Sequence, residues 1–349
     1  MLKDKLQIYL ITYNRKEKLA KTFEQIFAKN SPIREFDITI LDNASTDGTS
    51  ELIEEYCAHF PNIKHIRHNI NIGGNANICH AMELAAQCNK EYFWILCDDD
   101  TIRFRHWNEI EKAILSENYD CILVEKKVNF SSDNYPYIIN TLSFLAAGIY
   151  KTENINSTVL SNAYANIMYS FPHLALGCHL LNKKSKFYVS KYRIIKQGMN
   201  PTIFYNSKDK EILLKEKNNK KKKKLKNDFI RGTNKERHFR TAHVNLFSGL
   251  VNSYQMITDK HLRDRCCGVL WIGKPFINSV IAFLFSNSLY LYNINDFYNG
   301  ISFYKKFLFI IGFLLYIINK YIFGFSIRKK GVYIRLFGVL KTKILPLKH

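Results

Sequence analysis

Trp94-Ile95-Leu96-Cys97 runs directly into Asp98, Asp99 and Asp100. The apolar part reads as a buried strand. Carboxylates crowded at its mouth repel one another by several kcal/mol in a partly desolvated setting unless a cation or a set of donors neutralises them. Oxygen-only ligands favour hard cations such as Mg2+ or Mn2+, and Mg2+ commonly shares its site with substrate phosphates. The competing reading is a solvated acidic turn or a helix N-terminus, where Asp is favoured.

Chemistry at that position requires a scaffold that carries it to an open edge. Apolar and β-branched runs recur at residues 6–12, 36–41, 63–67 and 92–97. Helical spacing lies between them. Leu19, Phe23, Ile26 and Phe27 share one helix face, and Leu52, Ile53 and Tyr56 share another. Alternating strands and helices predict right-handed crossovers and a mostly parallel sheet covered on both sides. Ligands of such sheets bind beyond the carboxyl ends of the strands.

The loops at those ends are polar. After the first strand comes Thr12-Tyr13-Asn14-Arg15-Lys16-Glu17, in which Asn14 and Glu17 have capping-box spacing and predict a helix whose free N–H groups face a phosphate-bearing ligand. Asp42-Asn43-Ala44-Ser45-Thr46-Asp47-Gly48-Thr49 follows the second strand with acceptors suited to a base or ribose edge. The third ends in Asn71-Ile72-Gly73-Gly74-Asn75-Ala76-Asn77, where paired glycines permit positive φ or close backbone approach.

Taken in order, the segments Ile11 to Arg15, Asp42 to Gly48, Asn71 to Asn77 and Asp98 to Asp100 resemble the nucleotide-sugar half of family 2 glycosyltransferases with the GT-A fold. The resemblance covers roughly the first 110 residues. It implies that Thr12, Tyr13 and Arg15 lie along the nucleotide and that Asp42 and Asn43 meet the base or ribose. Asn71, Gly73 and Gly74 would shape the floor beneath. Asp98 and Asp100 match the outer members of the family's Asp-x-Asp motif, with Asp99 between them in the same donor site. Asp100 is then the metal ligand, and Asp98 contacts the sugar side and the metal. The implied reaction is an inverting displacement in which a metal-bound diphosphate leaves and a base deprotonates the acceptor hydroxyl.

The family's usual base comes from a Glu-Asp pair, and no such dipeptide occurs in the chain. Gln-x-x-Arg-Trp, typical of processive synthases, is also missing. The best substitute is His173, because Pro172 suits a first helical turn and would set His173 near a helix N-terminus facing the cleft. That position lowers a histidine pKa and favours the proton-accepting form. Glu153 and Asp209 are further candidates.

Charge is uneven along the 349 residues: the formal net charge is +21, yet residues 1–100 hold 11 Lys or Arg and 15 Asp or Glu, so the rest carries +25. An acidic ligand rim argues against nucleic acid as partner. Residues 208–240 are the densest basic block, with Lys220 to Lys224 uninterrupted, and predict an exposed insert. Each Lys or Arg near an anionic leaflet is worth about 1 kcal/mol of attraction, while an inert solvated loop is the alternative. Residues 276–292 and 307–325 are apolar and aromatic. The unbroken part of the second is shorter than the ~20 residues a bilayer span needs. An element lying in the membrane interface suits it, and a buried helix is the alternative.

The start of the chain has no signal-peptide core, and the eight cysteines form no C-x-x-C pair. The expectation is therefore an α/β protein: a GT-A, Rossmann-like, mostly parallel sheet flanked by helices, with a helical, membrane-associating C-terminal part. Its boundaries fall at 1–125 for nucleotide-sugar binding, 126–207 for the acceptor, 208–240 for the basic insert and 241–349 for the C-terminal region. It would sit peripherally on the cytoplasmic face of the membrane, take a nucleotide-sugar donor with Mg2+ or Mn2+, and glycosylate a lipid-linked saccharide or lipopolysaccharide. Alternatives are a non-catalytic scaffold of the same fold and a sugar nucleotidyltransferase. The first loop has no glycine, which weighs against the latter.

Overall fold

Residues 2–125, 134–169, 171–196, 198, 249–250, 252–272, 323–328, 331–336 and 339–345 are described by the computed structural model. The first four strands are β1 (Leu6–Thr12), β2 (Asp37–Asp42), β3 (Ile63–Arg67) and β4 (Tyr92–Cys97). Three match the sequence expectation residue for residue, and β2 is displaced by one so that it ends on Asp42. All four are mutually parallel, with β1 paired to β2 and β4, and β2 to β3.

Period-two burial explains why these segments are strands. Along β1, Ile8 and Leu10 enter one core, while Tyr9 enters the other. The first core is roofed by α1 (Lys16–Ile26), α2 (Thr49–His59) and α4 (Trp107–Leu115), which contribute Phe23, Ile53 and Ile110. The second is covered by α3 (Gly74–Ala86), α5 (Tyr135–Leu142), α6 (Ser157–Ala165) and α7 (Leu174–Asn182). Trp94 is wholly buried, and its Nε1 donates to the Ala146 carbonyl at 2.8 Å.

Beyond β4 the sheet continues through β7 (Gly148–Lys151), β6 (Cys121–Leu123) and β8 (Phe187–Val189), giving the order β3-β2-β1-β4-β7-β6-β8. Only β7 runs against the rest. It is antiparallel to both β4 and β6, and β6 is parallel to β8. The carboxyl ends of β6 and β8 therefore open on the same edge as those of β1 to β4. A separate two-stranded ribbon, β5 (Thr101–Ile102) with β9 (Ile195–Lys196), crosses that edge.

In the C-terminal region, α8 (Lys260–Ile272) is helical as expected, but β10 (Phe323–Arg328), β11 (Gly331–Leu336) and β12 (Val339–Leu345) form an antiparallel sheet. The wholly helical expectation for 241–349 is corrected there. Phe323, Phe325 and Ile327 alternate with Gly324, Ser326 and Arg328, a period of two rather than 3.6. Among the described residues no helix is long and apolar enough to cross a membrane. The basic block 208–240, Asp209 and the apolar segments 276–292 and 307–322 lie outside the described residues.

Candidate active site

The three consecutive aspartates sit at the carboxyl end of β4, and the chain matches each with different donors. Asp98 is buried; its Oδ2 accepts from Thr12 Oγ1 at 2.7 Å and its Oδ1 from Arg15 Nη1 at 2.8 Å. Burial raises its pKa, and the Arg15 charge opposes that rise. Thr22 Oγ1 donates to the Asp98 carbonyl at 2.9 Å, which fastens α1 to the same turn. Asp99 faces Lys18 Nζ at 3.1 Å and Arg15 Nη1 at 3.4 Å.

Asp100 is held differently. Its Oδ1 accepts from the Gly198 N–H at 3.1 Å and its Oδ2 from the Cys97 N–H at 3.2 Å. Among the described residues no Lys or Arg pairs with it. Burial pushes its carboxyl up to about 7, only partly offset by those two backbone donors. Carboxylate repulsion is thus relieved by Arg15 and Lys18 at Asp98 and Asp99, while Asp100 keeps an uncompensated charge when ionised.

No set of three or more His, Cys, Asp or Glu side chains converges as a metal cage among the described residues. A single buried carboxylate without a cationic partner still suits Mg2+ or Mn2+, because such ions take one or two carboxylates and complete their shell with phosphates and water. Asp98 fits that role less well than expected, since both of its oxygens are occupied by Thr12 and Arg15.

The second-strand loop is held together by its own side chains. Asp42 is fully buried at the end of β2 and accepts from the Ser45 N–H at 2.9 Å and from the Ser50 hydroxyl, with Arg67 Nε 3.6 Å away. Burial works against its ionisation, but hydrogen bonds from His65, Ser45 and Ser50 prevail and hold it well below the usual carboxylate range. Asp42 is thereby held within its own loop at the end of β2. Asn43 does likewise: its Nδ2 donates to Asn71 Oδ1 at 2.8 Å and its Oδ1 accepts from the Ile72 N–H at 2.9 Å. Asn71 Oδ1 also accepts from the Gly73 N–H at 2.8 Å. Gly73 adopts φ +88°, a conformation that L side chains rarely hold, and no atom lies within 4 Å of where its or Gly74's Cβ would stand. The floor expected from Asn71, Gly73 and Gly74 is open above.

The predicted capping box does not form. Arg15 is the N-cap of α1, and no side chain caps it. Asn14, at φ +50°, instead accepts from the Thr46 N–H at 2.7 Å and so staples the first loop to the second. Tyr13 is exposed beside it.

His173 precedes α7 as expected. Lys183, just beyond the far end of α7, donates to Asn154 Oδ1 at 2.8 Å at the opposite edge of the sheet, so the helix begins near the carboxyl edge. The ring does not face an open cleft, however: it is 5% exposed, and Nε2 lies 3.1 Å from the Leu142 carbonyl. Its pKa falls to about 4, and the cause is burial rather than the helix N-terminus. Glu153 is excluded by topology. It follows β7, whose reversed direction carries it to the amino edge of β4, away from the aspartates.

Lys18, Thr22 and Gly198 were not singled out from the sequence. Lys18 stands three residues after Arg15, on the same helix face, and that spacing was the available signal. Gly198 is recognisable only once β5 and β9 are paired: a Cβ there would collide with the Asp99 carbonyl oxygen.

The profile of glycosyl transferase family 2 matches residues 7–178. Over 238 residues the chain is 27% identical to abequosyltransferase RfbV of Salmonella typhimurium, an overlap of 58% of this chain and 69% of that protein. Among solved structures, S. aureus TarS has 16% identity and a TM-score of 0.47, covering 95% of this chain, which spans 58% of the TarS chain. A mannosyltransferase, PcManGT from Pyrobaculum calidifontis, solved with GDP-Man and Mn2+, has 12% identity and a TM-score of 0.49, covering 90% of this chain and 85% of its own.

Proposed function

We propose, from the premise that residues 7–178 make the chain a member of glycosyl transferase family 2, that it moves a sugar from a nucleotide-sugar donor to a saccharide acceptor by one inverting displacement. The observation that carries this reading is Asp100, a buried carboxylate on the ligand edge of the sheet with two backbone donors and, among the described residues, no side-chain cation. Mg2+ or Mn2+ held by Asp100 and the donor phosphates would supply Lewis-acid stabilisation of the departing diphosphate.

The rest is done by the chain itself. Arg15 and Lys18 bring positive charge to the same rim, where negative charge grows on the leaving oxygen. Thr12 and Arg15 hold Asp98 in one orientation, which fixes the turn that carries Asp99 and Asp100. The open floor formed by Gly73 and Gly74 leaves room for the nucleotide. His173 lies enclosed at the start of α7. Its Nε2–H donates to the Leu142 carbonyl at 3.1 Å, and burial keeps the ring neutral.

A lipid-linked saccharide or lipopolysaccharide acceptor and a peripheral place on an anionic membrane face complete the proposal. Their support is the excess of basic charge beyond residue 100 together with the apolar, aromatic segments. Flotation with vesicles containing or lacking anionic lipid tests the membrane arm. Retention in the soluble fraction with both vesicle types overturns it.

The donor arm is tested by thermal shift with UDP-, GDP-, CDP- and dTDP-sugars, with Mn2+ or with chelator. One donor is expected to raise the melting temperature only when metal is present, and Asp100→Asn abolishes the rise. Equal shifts in chelator, or full retention in Asp100→Asn, would overturn the metal assignment.

A further inference from the structure

One polar stripe of α1 meets the whole turn that carries the aspartates. Arg15, Lys18, Thr22 and Gln25 follow one another at the spacing of a single helix face. Arg15 Nη1 donates to Asp98 Oδ1 and Lys18 Nζ to Asp99 Oδ2, Thr22 Oγ1 donates to the Asp98 carbonyl, and Gln25 Oε1 accepts from the Ile102 N–H at 3.1 Å. The adjoining stripe, Leu19, Phe23 and Ile26, is buried in the core. Packing therefore sets the register of α1 against the sheet, and the polar stripe passes that register to residues 98–102.

Gln25 is the member of the stripe farthest from the aspartates in sequence, and its amide is fixed at both ends. Nε2 donates to the Lys21 carbonyl one turn earlier at 3.0 Å, which leaves Oε1 aimed at β5. The bond answers a need of that strand. Successive N–H groups of a strand point to opposite edges. Arg103 N–H turns toward β9, where it donates to the Ile194 carbonyl at 2.7 Å, and Ile102 N–H turns toward α1. Ile102 is buried, so loss of the Gln25 acceptor leaves a backbone donor shut away from water, a condition that folded chains avoid.

The strand so anchored holds the support of Asp100. Ile102 lies opposite Ile195 and Thr101 opposite Lys196, and two residues past β9 the Gly198 N–H donates to Asp100 Oδ1 at 3.1 Å. That bond has little slack: a shift of about 0.5 Å takes it beyond hydrogen-bonding reach. Gln25 thus secures, from the helix side, the strand whose partner delivers a backbone donor to Asp100.

We infer that Gln25 is a positioning residue for Asp100, acting through the Ile102 N–H, the ribbon of β5 and β9, and the Gly198 N–H. The inference rests on the glycosyltransferase reading above, in which Asp100 meets the metal. It gives α1 two tasks: Arg15 and Lys18 bring charge to the donor rim near its start, and Gln25 steadies the metal carboxylate from its last turn.

Amide-resolved hydrogen exchange on the full chain tests it with three variants. Gln25→Leu keeps the bulk and removes the acceptor, and Gln25→Glu keeps an acceptor oxygen. Asn154→Ala, which loses bonds to Asp120 and Lys183 at the amino edge of the sheet, serves as a destabilised control. Gln25→Leu is expected to speed exchange at both Ile102 and Gly198 by about tenfold, the worth of one hydrogen bond, and Gln25→Glu to bring both back toward the wild-type rate. Acceleration confined to Ile102, or equal acceleration of Gly198 in Asn154→Ala, overturns the inference. A second readout is the Mn2+ concentration that half-saturates the donor-induced rise in melting temperature. It should increase about tenfold in Gln25→Leu and stay near the wild-type value in Asn154→Ala; an unchanged Mn2+ requirement in Gln25→Leu also overturns the inference. The two readings separate: a wild-type donor shift indifferent to chelator removes the metal role of Asp100, while exchange at Gly198 still decides whether Gln25 holds its support.

Discussion

Arg15 Nη1 donates to Asp98 Oδ1 at 2.8 Å, joining the first residue before α1 to the end of β4 across 83 positions of sequence. The same guanidinium reaches Asp99 at 3.4 Å. Replacing Arg15 by Met leaves Asp98 buried with its hydroxyl partner and no charge partner. Breaking a fully buried pair costs about 3–5 kcal/mol; with Arg15 a third exposed, solvent screening reduces the expected loss to roughly 2 kcal/mol. Urea unfolding measures it. Adding Asp98→Asn should recover much of the loss, because the two changes share one interaction.

The loop clamp predicts a local effect. Asn43→Ala removes the bonds to Asn71 and to the Ile72 N–H. Stability should fall by about 1–3 kcal/mol. Hydrogen exchange of residues 69–76 should accelerate while β1 and β4 stay protected. Uniform acceleration across the sheet would contradict a clamp confined to this loop.

Gly198→Ala tests the crossing ribbon. A methyl group at this position meets the Asp99 carbonyl oxygen and carboxyl carbon, so the strand must shift. Overpacking of this kind costs about 1–3 kcal/mol. Because the shift withdraws an N–H from Asp100, the metal-dependent donor shift should shrink by more than the fall in melting temperature of the free protein.

His173 gives a pH signature. Its folded value of about 4 lies below the ordinary 6.5, so the fold favours the neutral ring. Stability from this residue is complete above about 6.5 and is lost as pH falls toward 4, by up to about 3 kcal/mol. His173→Gln should flatten the wild-type decline in unfolding free energy between pH 7.5 and 4.5.

The donor half was legible because each signal there is local. Four strands followed from runs of apolar residues, and their order along one edge followed from the parallel rule. The failures also have causes. Asn14 and Glu17 fit a capping box by spacing, yet Asn14 turns to Thr46 on a neighbouring loop that only the fold brings near. The partners of Asp42 and Asn43 within the fold, Ser45, Ser50 and Asn71, were equally hidden, because buried and solvent-facing Asx residues are spelled alike. Glu153 cannot be set aside until the reversed direction of β7 sends it away from the aspartates. That reversal depends on strand pairing, which leaves no mark within either segment.

The ribbon of β5 and β9 also bears on how such proteins can be recombined. Ile195 and Lys196 pair with the strand that follows the aspartates, and Gly198 just beyond them completes the cradle of Asp100. A chimaera cut in the interval before β9 would import a foreign backbone against a native aspartate. A graft that exchanges later segments of the chain should therefore retain Ile195 to Gly198 from the parent, so that the backbone donor to Asp100 stays native.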